Sequence, residues 1–373
     1  MLSPPFFKIF YMKKTFILLL FIIICSLSIA QRHTKNLIII TFDGYRWKEL
    51  FRGADSVKLF GKAFTSQDSL WRVKKYWGKN VEERREKLMP FFWNTIAKNG
   101  QLYGNRDLGN YVDVKNRYWF SLPGYNEIFT GFPDTLINSN DYPDNPHQNV
   151  LEYINKQPGY KNKVAVFNSW NAYYRILNEK RSGLLINSGF ADLKGSNLTE
   201  TQKVLNKQQY YLPKIFGITE RPDASTYPIA KEYLKQNHPK VLYISFIDTD
   251  AFGHQGKYDY YLDAANYNDA MIADLWHYLQ SDPFYKDQTT LFVAVDHGRG
   301  EDSAWINHNS NVPHSNEVWF AVMGPDTKSL GEIKRPGQLY QNQYAKTMAS
   351  FLGFNFPSLN PVGKEIKSVL NYK

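Results

Sequence analysis

The chain has 373 residues, is 43% hydrophobic and 16% aromatic, and carries a formal net charge of +10. That is the composition of one large globular domain or two smaller ones, with no repeat and no low-complexity tract. Its single cysteine, Cys25, falls in a segment expected to be removed, so disulfides, thiolate zinc sites and a cysteine nucleophile are excluded from the mature chain.

Residues 1–30 read as an export signal. Lys13 and Lys14 precede the apolar run Phe16–Ile24, and Ser28-Ile29-Ala30 supplies small residues for cleavage after Ala30. The run is shorter than the roughly 20 residues of a spanning helix, so an exported protein, periplasmic or secreted, with no membrane span after cleavage is predicted. Cleavage removes Lys8, Lys13 and Lys14 and no acid, which lowers the formal charge from +10 to +7. That excess favours anionic substrates and carries no nucleic-acid signature.

Leu37–Phe42 is an unbroken apolar run, the pattern of a strand buried on both faces, and it ends at Asp43-Gly44. Residues 52–80 are basic and aperiodic and read as a long excursion. Glu82–Lys98 has helical character interrupted at Pro90. Ser121-Leu-Pro-Gly leads into a short helix over Tyr125–Thr130, closed by Gly131. Residues 132–149 are a loop, a helix begins at Val150–Ile154, and Lys163–Phe167 is a strand. Residues 178–225 are polar and irregular, the pattern of a cap or inserted lobe. Val241–Ile247 is a buried strand ending at Asp248-Thr249-Asp250. Leu262–Leu279 is a helix with Leu262, Ala265, Ile272, Trp276 and Leu279 on one face. Leu291–Val295 is a strand running into Asp296-His297-Gly298, Val318–Met323 is another, and Gln341–Leu352 is a last amphipathic helix.

Alternating strands and helices predict one α/β domain over residues 31–373, a three-layer sandwich whose central, mostly parallel sheet is flanked by helices. The segments at about 52–80 and 178–225 are insertions in it. Ligands of such sheets bind beyond the carboxyl ends of the strands, where Asp43, Asp250 and Asp296 all sit.

These carboxylates have histidine companions. Asp250 and His254, four apart around Gly253, can converge on an ion from a tight loop, with Asp248 in support. Asp296 and His297 are adjacent, and adjacent side chains reach one ion only where the chain turns, which Gly298 permits. A late histidine, His308 or His314 with His308 preferred, completes the set. Three carboxylates and three imidazoles suffice for two divalent cations, and two metals about 3.5–4 Å apart can clamp an in-line displacement at phosphorus. Ser121, ahead of a helix start that favours an alkoxide, is the candidate nucleophile. Its other reading is an N-cap.

Together and in this order, these motifs resemble the alkaline phosphatase superfamily, in particular its type I phosphodiesterase/nucleotide pyrophosphatase branch. The resemblance runs from about Leu37 to Gly353. It is carried by Leu-Ile-Ile-Ile-Thr-Phe-Asp43-Gly, by Ser121-Leu-Pro-Gly-Tyr-Asn-Glu-Ile-Phe-Thr130-Gly131, by Asp250-x-x-Gly-His254 and by Asp296-His297-Gly298. It implies an alkaline-phosphatase-like fold. It also implies one zinc held by Asp43, Ser121, Asp296 and His297, and another held by Asp250, His254 and His308. The superfamily's phosphate-binding asparagine would be Asn138 or Asn140. Two departures stand out: the branch often has Thr where this chain has Ser121, and its late His-Gly is here His308-Asn309, which keeps His314 in contention. Sulfatase relatives need Cys/Ser-x-Pro-x-Arg, and Ser121-Leu-Pro-Gly-Tyr125 lacks the Arg. Sulfatases also usually bind one calcium, whereas this histidine-rich set suits zinc. The expectation is an exported two-zinc hydrolase of small phosphorylated substrates, acting through a phosphoserine. The alternatives are a sulfatase-like hydrolase, a phosphotransferase on the same core, and a non-catalytic metal-bound domain that binds surfaces.

Overall fold

The computed structural model describes residues 33–65 and 68–371. The expected export signal, residues 1–30, lies outside the described residues. The strands in chain order are β1 (Asn36–Phe42), β2 (Gly100–Tyr103), β3 (Asn110–Asp113), β4 (Val164–Asn168), β5 (Leu185–Ser188), β6 (Val241–Phe246), β7 (Thr289–Val295), β8 (Phe320–Met323), β9 (Gly331–Glu332) and β10 (Gly337–Tyr340). Eight of them form one sheet in the order β5-β4-β6-β1-β7-β8-β2-β9, and β10 pairs with β3 separately. Only β8 runs against the others in the large sheet.

β1 lies at the centre, between β6 and β7, and every one of its residues is buried. Helices cover both faces, so the strand reads as a continuous apolar run rather than an alternation. On one face Tyr243 meets Phe129, at 4.6 Å between ring centroids, from the helix α1 (Ser121–Thr130). On the other, Phe167 meets Tyr233 at 5.2 Å from the helix Asp223–Asn237. Each fully buried Leu or Ile of β1 contributes about 1.5–3 kcal/mol of transfer free energy, so the strand that presents Asp43 is anchored along its whole length.

The three-layer α/β reading holds. Several short elements went unread. β5 lies inside 178–225 and is an edge strand of the main sheet, followed by the helix Glu200–Gln208, so that stretch is not merely irregular. The 52–80 stretch carries the helices Ser56–Phe60 and Ser69–Tyr76. Among the described residues no helix is long and apolar enough to cross a membrane.

Candidate metal centre

The register of the sheet assembles one side of the site. Phe42 pairs with Phe246 on one flank and with Val295 on the other, so β1 and β7 end level and deliver Asp43 and Asp296 side by side. Gly44 then turns the chain with φ +57°, and its N–H donates to Asp296 Oδ1 at 3.1 Å. A Cβ there would lie 2.5 Å from Asp250 Oδ1, so glycine is required by both conformation and space. Thr249 Oγ1 donates to the Asp43 carbonyl at 2.6 Å. Gln341 Nε2 donates to the carbonyls of Val295 and Asp296 at 3.0 and 2.8 Å.

His297 Nδ1 lies 2.8 Å from the Gly298 carbonyl, an acceptor only. Nδ1 therefore carries a proton, and Nε2 is the ring nitrogen turned inward. That Nε2 is 3.2 Å from Asp43 Oδ1, 3.4 Å from Asp296 Oδ2 and 3.2 Å from Ser121 Oγ.

The other side is built differently. Asp250 and His254 lie on a helix, α2 (Asp248–His254), not on the tight loop expected from the sequence. The correction is physical: the acids Asp248 and Asp250 fall in the first turn, where the helix dipole favours them. The i,i+4 spacing then brings carboxylate and imidazole onto one face. Asp250 Oδ2 is 3.2 Å from His254 Nε2, which is 2.9 Å from His308 Nε2. Two imidazole nitrogens facing each other at that distance alongside a carboxylate form a ready ligand set for a divalent cation. His308 also stacks on His297, with ring centroids 3.8 Å apart, and so joins the two sides.

Ser121 is the first residue of α1, and the cap position belongs to Phe120, whose side chain makes no cap bond. The N-cap reading therefore fails. Besides facing His297, Ser121 Oγ is 3.4 Å from Asp43 Oδ1. Tyr125, one turn on, donates to Asp43 Oδ2 at 3.0 Å. Tyr125 occupies the place where a sulfatase frame has Arg, and here it steadies a carboxylate. Ahead of Ser121, Trp119 adopts φ +56°, uncommon for a bulky residue, with its N–H and that of Tyr118 both bonded to Asn116 Oδ1.

Two groups of side chains bring ligand atoms within 4.8 Å of one another: Asp250, His254 and His308, and Asp43, Asp250 and His297. Asp250 belongs to both. The electrostatics call for cations. Burial, and then the charge of Asp250, raises the Asp43 carboxyl above its ordinary range. Burial, and then Asp43, raises Asp296 well above it. Asp250 goes the other way: burial alone would raise it, but His254, Arg299 and His308 hold it well below. For His297, burial favours the neutral ring, but Asp296 and Asp43 outweigh that and push it up to about 9. Asp296 Oδ2 is buried and accepts no hydrogen bond. A buried carboxylate oxygen without a hydrogen bond, 3.4 Å from the inward imidazole nitrogen, fits a metal ion that would displace the ring's inward proton.

The remaining expected residues separate clearly. His314 is turned away, 2.9 Å from Glu317 and 3.5 Å from Glu301. Asn138 and Asn140 are both solvent-exposed, and Asn140 Oδ1 accepts from the Leu122 N–H at 3.0 Å, beside Ser121. Sequence reasoning missed Tyr125, Gln341 and above all Arg299, a buried guanidinium paired with Asp250. Arg299 directly follows Asp296-His297-Gly298, and that position was the one available signal.

The sequence profile of the type I phosphodiesterase / nucleotide pyrophosphatase family matches residues 58–350. A 2,3-bisphosphoglycerate-independent phosphoglycerate mutase of Haloarcula marismortui is 22% identical over 152 residues, which are 38% of this chain and 28% of the mutase. The match thus spans little more than a quarter of that curated relative. Among solved structures, the alkaline phosphatase PafA superposes with a TM-score of 0.59 at 12% identity, covering 90% of this chain and 99% of PafA. BT1596, a 2-O GAG sulfatase, gives 0.56 at 12% identity, covering 91% of this chain and 75% of the sulfatase. At these identities the two superpositions establish a shared alkaline-phosphatase-like fold.

Proposed function

The chain belongs to the type I phosphodiesterase / nucleotide pyrophosphatase family, a family of phosphoric ester hydrolases, and on that premise we propose an exported two-zinc enzyme that works through a phosphoserine at Ser121. The observation that carries the reading is the position of Ser121 Oγ, 3.2 Å from His297 Nε2 and 3.4 Å from Asp43 Oδ1 at the start of a ten-residue helix.

One zinc would be held by Asp43, Asp296 and His297 beside Ser121, the other by Asp250, His254 and His308. Bound there, the ions would lower the pKa of the hydroxyl and offset charge on the attacking and leaving oxygens. The chain's own groups do the rest. Ser121 Oγ bonds to phosphorus as the ester oxygen opposite it departs as an alcohol. Water then breaks the Oγ–P bond, which restores the serine hydroxyl and releases the phosphate product. Tyr125 keeps Asp43 oriented, and the positive end of α1 favours the anionic phosphoryl group. Asn140, its oxygen already engaged by the Leu122 N–H, would turn its amide N–H groups toward a phosphate oxygen.

The test is hydrolysis of p-nitrophenyl phosphate and bis-p-nitrophenyl phosphate with zinc added. Ser121→Ala is expected to lose activity by roughly 10⁴-fold or more. Equal turnover in both proteins sinks the assignment. A phosphotransferase on the same core is a second reading, favoured by the match to a mutase. An added alcohol acceptor that appears phosphorylated among the products would select it. Export would show as a mature chain beginning at Gln31.

A further inference from the structure

We propose that Arg299 is a positioning residue for the second metal site, holding Asp250 so that one carboxylate oxygen faces the ion. The inference rests on the two-metal reading above.

Arg299 is 1% exposed, and every arm of its guanidinium is used. Nε donates to the Trp305 carbonyl at 2.7 Å, Nη2 donates to the Ile306 carbonyl at 2.6 Å, and Nη1 donates to Asp250 Oδ1. The two carbonyls lie just ahead of His308. Asp250 and His254 flank Gly253, where a Cβ would stand 2.6 Å from the guanidinium carbon. A Cβ on Gly44, next to Asp43, would stand 2.9 Å from Nη1. Arg299 is itself three residues beyond Asp296. All four ligand-bearing segments therefore converge on one guanidinium.

This geometry divides the work of the Asp250 carboxylate. Oδ1 is engaged by Arg299 and lies 3.5 Å from His308 Nε2, whereas Oδ2 is free of the guanidinium and lies 3.2 Å from His254 Nε2. The planar fork fixes the carboxylate plane as well as neutralising it, which an ammonium cannot do. The Trp305 and Ile306 carbonyls are held by the same group, so the loop carrying His308 is set at a fixed offset from α2. The Asp43, Asp296 and His297 side has its own supports in Gly44, Tyr125 and Gln341. Because Asp250 belongs to both ligand groups, loss of Arg299 should be felt most at the Asp250, His254 and His308 site and more weakly at the other.

Zinc titration against a chromophoric chelator tests this. The wild-type protein is expected to hold two equivalents. Arg299→Met should weaken one equivalent by roughly 10–100-fold, the usual effect of losing a partner that orients a ligand, and the other by clearly less. Arg299→Lys, which restores charge but not the fork, should fall between. If Arg299→Met does not fold, Gly253→Ala takes its place, because the added methyl presses on the guanidinium and leaves every polar group intact. Two unchanged equivalents, or an equal loss at both, in the folded variant overturns the proposal. Fewer than two equivalents in the wild type overturns the two-metal reading itself, and the role of Arg299 with it.

Discussion

The two halves of the candidate metal centre reach similar ligand sets by opposite means. Asp43, Asp296 and His297 stand at the ends of neighbouring central strands, and the His297 and Asp296 side chains are 0% exposed. Asp250, His254 and His308 come from a seven-residue helix and a loop, and the His254 side chain is 44% exposed. The enclosed half is preassembled and electrostatically strained, with carboxylates pushed upward by burial. The open half is relaxed by a guanidinium and reaches solvent. The difference teaches that the sheet supplies rigidity where Ser121 sits, while the helix and loop supply access.

The comparison breaks most sharply at Asp296 and His254. Asp296→Asn should abolish turnover, by roughly 10³-fold or more, yet stabilise the metal-free protein by about 1–3 kcal/mol, because it removes a carboxyl whose charged form is disfavoured by burial and by Asp43. His254→Ala should also cost zinc affinity but leave metal-free stability within about 0.5 kcal/mol, as at other partly exposed positions. Paired thermal melts and zinc titrations check both, and an equal stability change in the two variants would erase the contrast.

Chelation is next in size. Stripping zinc from protein held near a hundredfold excess over its dissociation constant should lower stability by about 2.7 kcal/mol. The part of that loss that belongs to the enclosed half should disappear in Asp296→Asn, while the part from Asp250, His254 and His308 remains. Calorimetry with and without chelator measures it. Tyr125→Phe is smaller: losing one hydrogen bond to a carboxylate costs about 1.5–3 kcal/mol, read as a roughly tenfold or greater fall in kcat/KM with two zinc equivalents retained.

A pH effect separates the helices behind each half. Burial pushes the carboxyl of Glu127, on α1, up to about 7 from an ordinary 4.5. Asp269, on the helix Tyr258–Ser281 that follows α2, is likewise pushed by burial up to about 7 from 3.8. Between the ordinary and the raised values the folded chain binds more protons than the unfolded one. Stability should therefore fall as pH rises through that window. Melts of metal-free protein at pH 5 and pH 7 should show the slope, and Glu127→Gln and Asp269→Asn should each flatten part of it.

Much of this was legible in the sequence, for identifiable reasons. β1, β6 and β7 are buried on both faces, so their apolar runs are unbroken, and the polar residue that ends each run marks the site. Asp43, Asp296 and His297 could be read from that alone. The helix under Asp250 and His254 was misread because Thr249, Asp250 and Gly253 look like a turn, and only the packing of α2 against the helix that follows it makes them helical. β2, β9 and β5 are short and partly polar, and sheet neighbours far along the chain define them. Arg299 was missed because its partners, Asp250 and the carbonyls of Trp305 and Ile306, come together only in three dimensions. His308 was separated from His314 by a stack on His297 that no spacing rule encodes.

The parallel pairing of β1 with β7, matched residue for residue from Asn36 opposite Thr289 to Phe42 opposite Val295, has a consequence for chain length. Side chains alternate between the faces of a strand, so deleting or inserting one residue within either strand would swing its terminal acid to the opposite side of the sheet. A two-residue change would restore the side but displace the acid along the strand by about 6.6 Å. Length variation is therefore forbidden inside these strands and permitted in the connections between them, which is where engineered insertions should be placed.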